Sequence, residues 1–285
     1  MEVTDIPFYG EQDAKPDATD RRFWSVTTIL GALDKPALLY WASEQTALAA
    51  VSIAKSLPQR IEEDGEEEVI RWLSGARFRR VRGQRSAAEL GTAVHDACER
   101  YALTGVLPEV DAEVQPFLDQ FDRWAQRWQP SYIAAEMPVY NLTYGYAGTM
   151  DAIAVIDGMR VALDYKSSRK SVGSDGKPTK PYPEVALQLS AYRHAELAAT
   201  WKARRFEQYR RRYYLLSGEE QGLAVPMPPV DGGLAVHITP DHCTAHPIKC
   251  DDAIFDHFLY TIEGARWQFE VSKTVVGPPL EGAAE

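Results

Sequence analysis

The chain has 285 residues, 45% of them hydrophobic and 25% charged, with 31 Lys+Arg against 41 Asp+Glu and a formal charge of −10. That balance fits a soluble globular protein of one large or two smaller domains, and no run approaches the roughly 18 apolar residues of a membrane span. Three scattered cysteines (Cys98, Cys243, Cys250) exclude a disulfide framework, and the acidic start without an apolar stretch excludes a secretory signal, so the chain reads as cytoplasmic and reduced.

Residues 1–22 have the polarity of a flexible acidic tail, and 23–85 read as a helical N-terminal region packed on a core. Thr27 or Thr28 is an N-cap candidate for a short helix, and Pro36 opens a longer one. A loop or helix end around Asp64–Gly65 precedes a helix carrying Trp72 and Leu73. Ser86–Leu103 is amphipathic, with Leu90, Val94, Ala97, Cys98 and Tyr101 on one face. Val114–Trp128 repeats the pattern with Phe117, Phe121, Trp124 and Trp128, a stripe most simply read as core.

After Pro130 the period changes. Ile133–Tyr140, Tyr146–Ile156 and Val161–Ser167 read as strands, and Ser168–Lys180 as a loop. A helix over Glu184–Trp201, strands near Tyr209–Leu216 and Leu234–Thr239, and a helix around Ala253–Phe269 complete a core spanning 86–272. A second flexible tail covers 273–285. The order implies a mixed α/β sheet with helical flanks.

The charge is unevenly placed. Residues 1–20 sum to −5 and Ile61–Glu68 to −6, leaving +1 for everything else. Arg71–Arg85 holds six arginines and no acid, and Lys202–Arg212 six bases against Glu207. Net charge therefore does not exclude a polyanionic partner, although a solvated helix face explains each basic run equally well.

Asp157-Gly158 between two alternating runs signals a two-residue type I′ hairpin. In that register Ile156 faces Met159, Ala154 faces Val161, and Asp151 faces Asp164. Met150, Ala152, Ala154, Ile156, Met159, Val161, Leu163 and Tyr165 share the apolar face. The other face sets Asp151 beside Asp164, with Lys166 one pleat beyond. Opposed carboxylates repel, at a few tenths to about 1 kcal/mol, unless a cation holds them. Clustered carboxylate oxygens suit Mg²⁺ or Mn²⁺, and the lysine could orient water, help deprotonate it, or stabilise charge on a phosphate. The bland alternative is an exposed polar sheet face with a chance Asp-x-Lys, and one bulge would undo the pairing. His95 sits on the shoulder of its helix's apolar stripe, where a structural histidine is the commoner case, with Glu99 one turn on. Gln188 and Tyr192 share a helix face at i,i+4.

Five motifs occur in one order: Gly91-Thr-Ala-Val-His95, Glu136 in the first strand, Gly148-Thr-Met-Asp151, Asp164-Tyr-Lys166, and Gln188-Leu-Ser-Ala-Tyr192. Together they resemble the RecB-type branch of the PD-(D/E)XK nucleases, including exonucleases related to the CRISPR-adaptation nuclease. Ser25-Val-Thr-Thr-Ile-Leu and Asp34-Lys-Pro-Ala-Leu-Leu-Tyr-Trp41 are similar to phage-encoded members. The resemblance implies a restriction-endonuclease-like α/β core with an added helical N-terminal region. It implies Asp151, Asp164, the Tyr165 carbonyl and His95 as metal ligands, Lys166 as the catalytic lysine, and Glu136 as a helper. It also implies that Gln188 and Tyr192 shape the site and contact DNA; Arg79, Arg80 and Arg82 are further candidates for phosphate contact. The implied activity is Mg²⁺- or Mn²⁺-dependent hydrolysis of DNA, as an exonuclease in recombination, repair or phage DNA processing. Such a protein works on DNA and can work beside a recombinase, annealing protein or helicase; its oligomeric state stays open.

Several relatives carry an iron–sulfur cluster on four cysteines, but three cysteines cannot build one, so no cluster is expected. Cys243, His246 and Cys250 offer a thin basis for zinc, and an ordinary loop explains them more simply. A DNA endonuclease, a non-cutting DNA-binding or scaffold protein on the same fold, and a glycosidase with paired carboxylates are the alternatives. The last is the poorest, because opposed aspartates beside a lysine suit a metal better than a sugar.

Overall fold

The computed structural model describes residues 21–76, 85–173, 176–199, 213–215 and 224–279. Arg79, Arg80, Arg82 and the run 202–212 lie outside them. The chain divides into two units, residues 1–32 with 89–285, and residues 33–88. Residues 23–32, expected with the N-terminal helices, thus belong to the sheet-bearing unit. Residues 21 and 22, expected in the tail, open strand β1 (Arg21–Ser25).

The smaller unit contains α2 (Pro36–Ser52), α3 (Leu57–Asp64) and α4 (Glu66–Ser74). The break between α3 and α4 is Gly65, whose φ of 85° is one that side chains rarely adopt. The acidic run is therefore two helix ends around one glycine. Arg60 lies over the Trp72 ring at 5.3 Å, tying α3 to α4.

The larger unit is a mixed α/β structure built on nine described strands. The main path is β7 (Ala224–Pro226), β5 (Leu197–Ala199), β2 (Ser131–Asn141), β3 (Tyr146–Ile156), β4 (Met159–Ser167), β8 (Gly232–Ile238) and β9 (Cys243–Ile248). Strand β1 pairs with β3 and with β6 (Tyr213–Leu215). Only β4–β8 and β1–β3 are parallel. The hairpin forms at the expected residues: Ile156 pairs with Met159 and Ala154 with Val161. Asp157 and Gly158 take φ of 50° and 78°, the left-handed values of a type I′ turn.

Both faces of the sheet are covered. On one, Ala152, Ala154, Leu163 and Tyr165 pack with Leu90 and Val94 of α5 (Ala87–Thr104) and Phe117 and Phe121 of α6 (Gln115–Trp128). Each such leucine, valine or phenylalanine removed from water contributes roughly 1.5–3 kcal/mol, and each alanine about 1 kcal/mol or less. The face expected to carry the aspartates is equally dry: Ile153 and Ala162 are fully buried where α7 (Glu184–Arg193) packs on β4 and β8. It is not an exposed polar sheet.

Helix α7 stops at Arg193 instead of running to Trp201. His194 receives the helix end: its backbone N–H donates to Ser190 O at 3.0 Å, and its ring sits 2.8 Å from that oxygen and 3.0 Å from Asp252 Oδ1. The ring also stacks on Phe255 of α8 (Asp252–Phe269) at 4.2 Å. Leu197 and Ala198 then pair with Tyr140 and Val139. Ladder bonds at the edge of β2 outweigh the helix propensity of an alanine-rich run.

Candidate active site

Sheet pairing creates the site. The β3–β4 ladder ends at Ala152–Leu163, one step before Asp151 and Asp164. On the same edge of β3, β1 pairs only at Tyr146 and Ala147. Between them Gly148–Asp151 has no strand neighbour on that side among the described residues. Bonded and non-bonded pairs alternate along an antiparallel ladder, so Tyr165 N–H would next have reached Met150 O. It donates instead to Asp151 Oδ2 at 2.8 Å. The carboxylate thus ends the ladder and holds β4 where it leaves β3.

Three side chains converge on this gap. His95 Nε2 lies 2.7 Å from Asp151 Oδ2, and His95 Nδ1 lies 3.6 Å from Glu136 Oε1. Ligand atoms of His95, Glu136 and Asp151 all fall within 4.8 Å of one another. Asp151 is buried, while His95 and Glu136 remain partly open. One imidazole and two carboxylates are a donor set that fits a hard divalent cation. Among the described residues this is the one such group, so Cys243, His246 and Cys250 do not form another.

Glu136 faces Asp151 across the β2–β3 pairing, and its φ is 47° in the middle of a strand. A left-handed non-glycine residue there costs on the order of 1–3 kcal/mol and is held only by its surroundings. Nothing in the sequence marks this strain; the glutamate's position in its motif was the available signal.

Asp164 and Lys166 form a second pair beside the first. Asp164 is 1% exposed, and Lys166 Nζ lies 2.6 Å from its Oδ1 and 2.5 Å from its Oδ2. Lys166 also reaches Gln188 Oε1 at 3.5 Å. Asp164 is therefore engaged by the lysine, not by the His95–Glu136–Asp151 group. The N–H of Tyr165 faces Asp151, and because both backbone polar groups of a strand residue point to one side, its carbonyl faces the same gap.

Burial disfavours protonated His95, but Asp151 and then Glu136 outweigh it and raise its pKa from 6.5 to about 9. Burial would raise the Asp151 carboxyl, yet His95 and Lys166 hold it low. Burial lifts Asp164 to about 6 against the pull of Lys166. Burial works against the Lys166 ammonium, and the two aspartates overcome it and push its pKa up.

Gln188 and Tyr192 come from α7, across the sheet from α5. Gln188 Nε2 lies 3.4 Å from the Tyr192 hydroxyl, and the Tyr192 ring lies against Gly148. The expected His95, Glu136, Asp151, Tyr165, Lys166, Gln188 and Tyr192 thus meet in one cleft of about 280 Å³; Asp164, held by Lys166, does not line it, and Arg79, Arg80 and Arg82 lie outside the described residues. The cleft also takes in Thr27, Asp96 and Thr149, which the sequence does not mark as site residues. Asp96 adjoins His95 and Thr149 adjoins the Gly148 motif, so adjacency was the usable signal. Thr27, a cap candidate by sequence, has no cue beyond its motif; the cap is Ser25, whose Oγ accepts from Thr28 N–H at 3.0 Å.

No family model and no curated protein matches the chain. Among solved structures, one titled "Crystal structure of SSO0001" is similar to it at 15% identity, over 76% of this chain and 72% of that one. Its TM-score of 0.28 carries no inference about activity. None of the described helices is long and apolar enough to cross a membrane.

Proposed function

We propose that the protein is a Mg²⁺- or Mn²⁺-dependent deoxyribonuclease that digests DNA from an end. The observation carrying this reading is the convergence of His95, Glu136 and Asp151 beside the Asp164–Lys166 pair at a break in the sheet. His95, Glu136 and Asp151 would hold the ion, with the Tyr165 carbonyl facing the same gap. The chemistry a bound divalent ion supplies is Lewis acidity toward a phosphate oxygen and acidification of water.

The protein's own residues supply the rest. Lys166, held protonated by the aspartates, faces the phosphate as a cation and stabilises charge that develops on it. Asp164 fixes the ammonium in place. Gln188 and the Tyr192 hydroxyl offer donors to phosphate oxygens at the cleft wall.

End-labelled linear DNA and covalently closed circular DNA, each with Mg²⁺, Mn²⁺ or EDTA, test the reading. Loss of linear DNA alone, abolished by EDTA, is the expected result. Nicking of the circle would replace the exonuclease with an endonuclease. Binding without cleavage in either metal would leave a DNA-binding protein.

A further inference from the structure

Resting on the nuclease reading above, we infer that the segment joining β4 to α7 carries a DNA-backbone contact, in which Lys170 and Lys180 together hold a phosphodiester of the substrate outside the cleft. Residues 166–180 bear five cations (Lys166, Arg169, Lys170, Lys177, Lys180) against Asp175, a sum of +4 in a chain of −10. The segment reads as a loop by sequence, yet its described residues pair as two antiparallel arms. Val172 bridges Pro178, Gly173 N–H donates to Lys177 O at 2.8 Å, and Thr179 N–H donates to Ser171 O at 3.0 Å. Thr179 Oγ1 donates to Lys170 O at 2.8 Å.

That register sets Lys170 opposite Lys180, and the period of two puts both on the face of Val172 and Pro178. Burial follows the alternation: Lys170, Val172, Pro178 and Lys180 are exposed, whereas Ser171 is buried and Thr179 half-buried. Ser171 Oγ bonds to Asp241 in the turn between β8 and β9, and Arg169 Nη2 donates to Glu113 Oε1 at 2.7 Å, so the inner face is tied to the body. Directly opposed like charges destabilise a strand pair, and an anion between them removes that cost. Both ends of the segment stand at the cleft, which α5, α7 and Thr27 of α1 (Val26–Leu30) also line. It leaves β4 at Ser167, next to Lys166, and enters α7 at Glu184, one turn before Gln188, whose Oε1 lies 3.5 Å from Lys166 Nζ. Four residues of extended chain, the separation of Lys166 and Lys170, span at most about 14 Å. A DNA strand advances about 3.4 Å per nucleotide along a duplex axis, so the lysine pair stands within about four nucleotides of Lys166. Two ammonium groups on one phosphate hold the strand without reading its bases, which suits an enzyme that removes successive nucleotides.

Fluorescence anisotropy of short labelled linear DNA, single- and double-stranded, tests this in EDTA on the full chain and its Lys170→Ala, Lys180→Ala double variant. The variant should bind about three- to tenfold more weakly, as two exposed charge contacts imply. The slope of log affinity against log salt should fall by about 0.7–0.9 for the phosphate released. The Lys170→Arg, Lys180→Arg double variant should restore both. In cleavage with Mn²⁺, the alanine variant should raise KM for the same DNA by a similar factor. That difference should vanish on bis(p-nitrophenyl) phosphate, whose single phosphate reaches only the cleft. Unchanged affinity and salt slope would overturn the inference, leaving the lysines to an acidic protein partner and the nuclease reading intact. An equal loss on bis(p-nitrophenyl) phosphate would overturn it as well, by placing the lysines in the chemistry or the fold. Weaker DNA binding by the variant, with no cleavage by the full chain, would overturn the nuclease reading and keep the contact.

Discussion

Replacing Gly148 by alanine probes the packing that seats α7 on the site. Gly148 pairs with Val139 inside the β2–β3 ladder. A Cβ there would lie 2.5 Å from Tyr192 Cε1, 3.1 Å from its hydroxyl and 3.2 Å from Cζ. Comfortable carbon separations are about 3.5–4.0 Å, so the nearest pair overlaps by roughly 1 Å or more. Tyr192 is 2% exposed and its hydroxyl faces Gln188, so the ring cannot swing into solvent. The strand or the helix must shift, at about 1–3 kcal/mol. For a unit of this size that lowers Tm by roughly 2–12 °C. Calorimetry measures the melting, and end-labelled DNA measures cleavage, which should fall because Gln188 moves with Tyr192. In a Tyr192→Leu background the same alanine should cost less than half as much, since the ring is gone. An equal cost in both backgrounds, or an unchanged Tm for Gly148→Ala alone, would refute this.

Further outcomes follow from neighbouring groups. Lys166→Met should lower cleavage at least about 100-fold and, with Lys166 39% exposed and its pair partly screened, destabilise by about 1–3 kcal/mol. Adding Asp164→Asn should return stability in urea titrations but not cleavage; recovered cleavage would remove Lys166 from the chemistry. His237 is 3% exposed, and burial, with His246 and His242 nearby, lowers its pKa from 6.5 to about 4. Its contribution to stability is present above pH 6.5 and is lost as pH falls toward 4, up to about 3 kcal/mol. His237→Gln should flatten that part of the urea-midpoint profile, and an unchanged slope would contradict it. Replacing Arg79, Arg80 and Arg82 by alanine should reduce the salt slope of DNA binding by about 0.9 for each phosphate that these arginines neutralise. An identical slope would return them to a solvated surface.

Long periodic elements and turn chemistry were legible in the residues. Strand β3 and helix α6 lie within a residue of their expected bounds, and Asp157-Gly158 fixed the register from Ile156–Met159 to Ala152–Leu163, where the ladder stops one step short of the expected Asp151–Asp164 pair. Of the short strands, β6 falls within the one expected near Tyr209–Leu216, whereas β1, β5, β7 and β9 were not legible. β9 carries Pro247 and alternates weakly, which only an edge position tolerates. β1 holds its place through pairing with distant β3 and β6, information that no local window contains. The candidate site divides the same way. Motif order brought together His95, Glu136, Asp151, Asp164, Lys166, Gln188 and Tyr192. The distribution of work among them came from geometry: the ladder ends at Ala152–Leu163, Glu136 takes a left-handed φ, and Asp164 turns to Lys166.

Titration calorimetry with Mn²⁺ on the full chain and on its Glu136→Gln and Asp151→Asn variants, run beside cleavage of linear DNA, bears most directly on the proposed centre. The full chain should bind Mn²⁺ saturably, both variants should bind it at least about tenfold more weakly, and cleavage should fall in step. Unchanged Mn²⁺ binding in both variants, or cleavage that persists in EDTA, would show that His95, Glu136 and Asp151 do not form the metal centre of this protein.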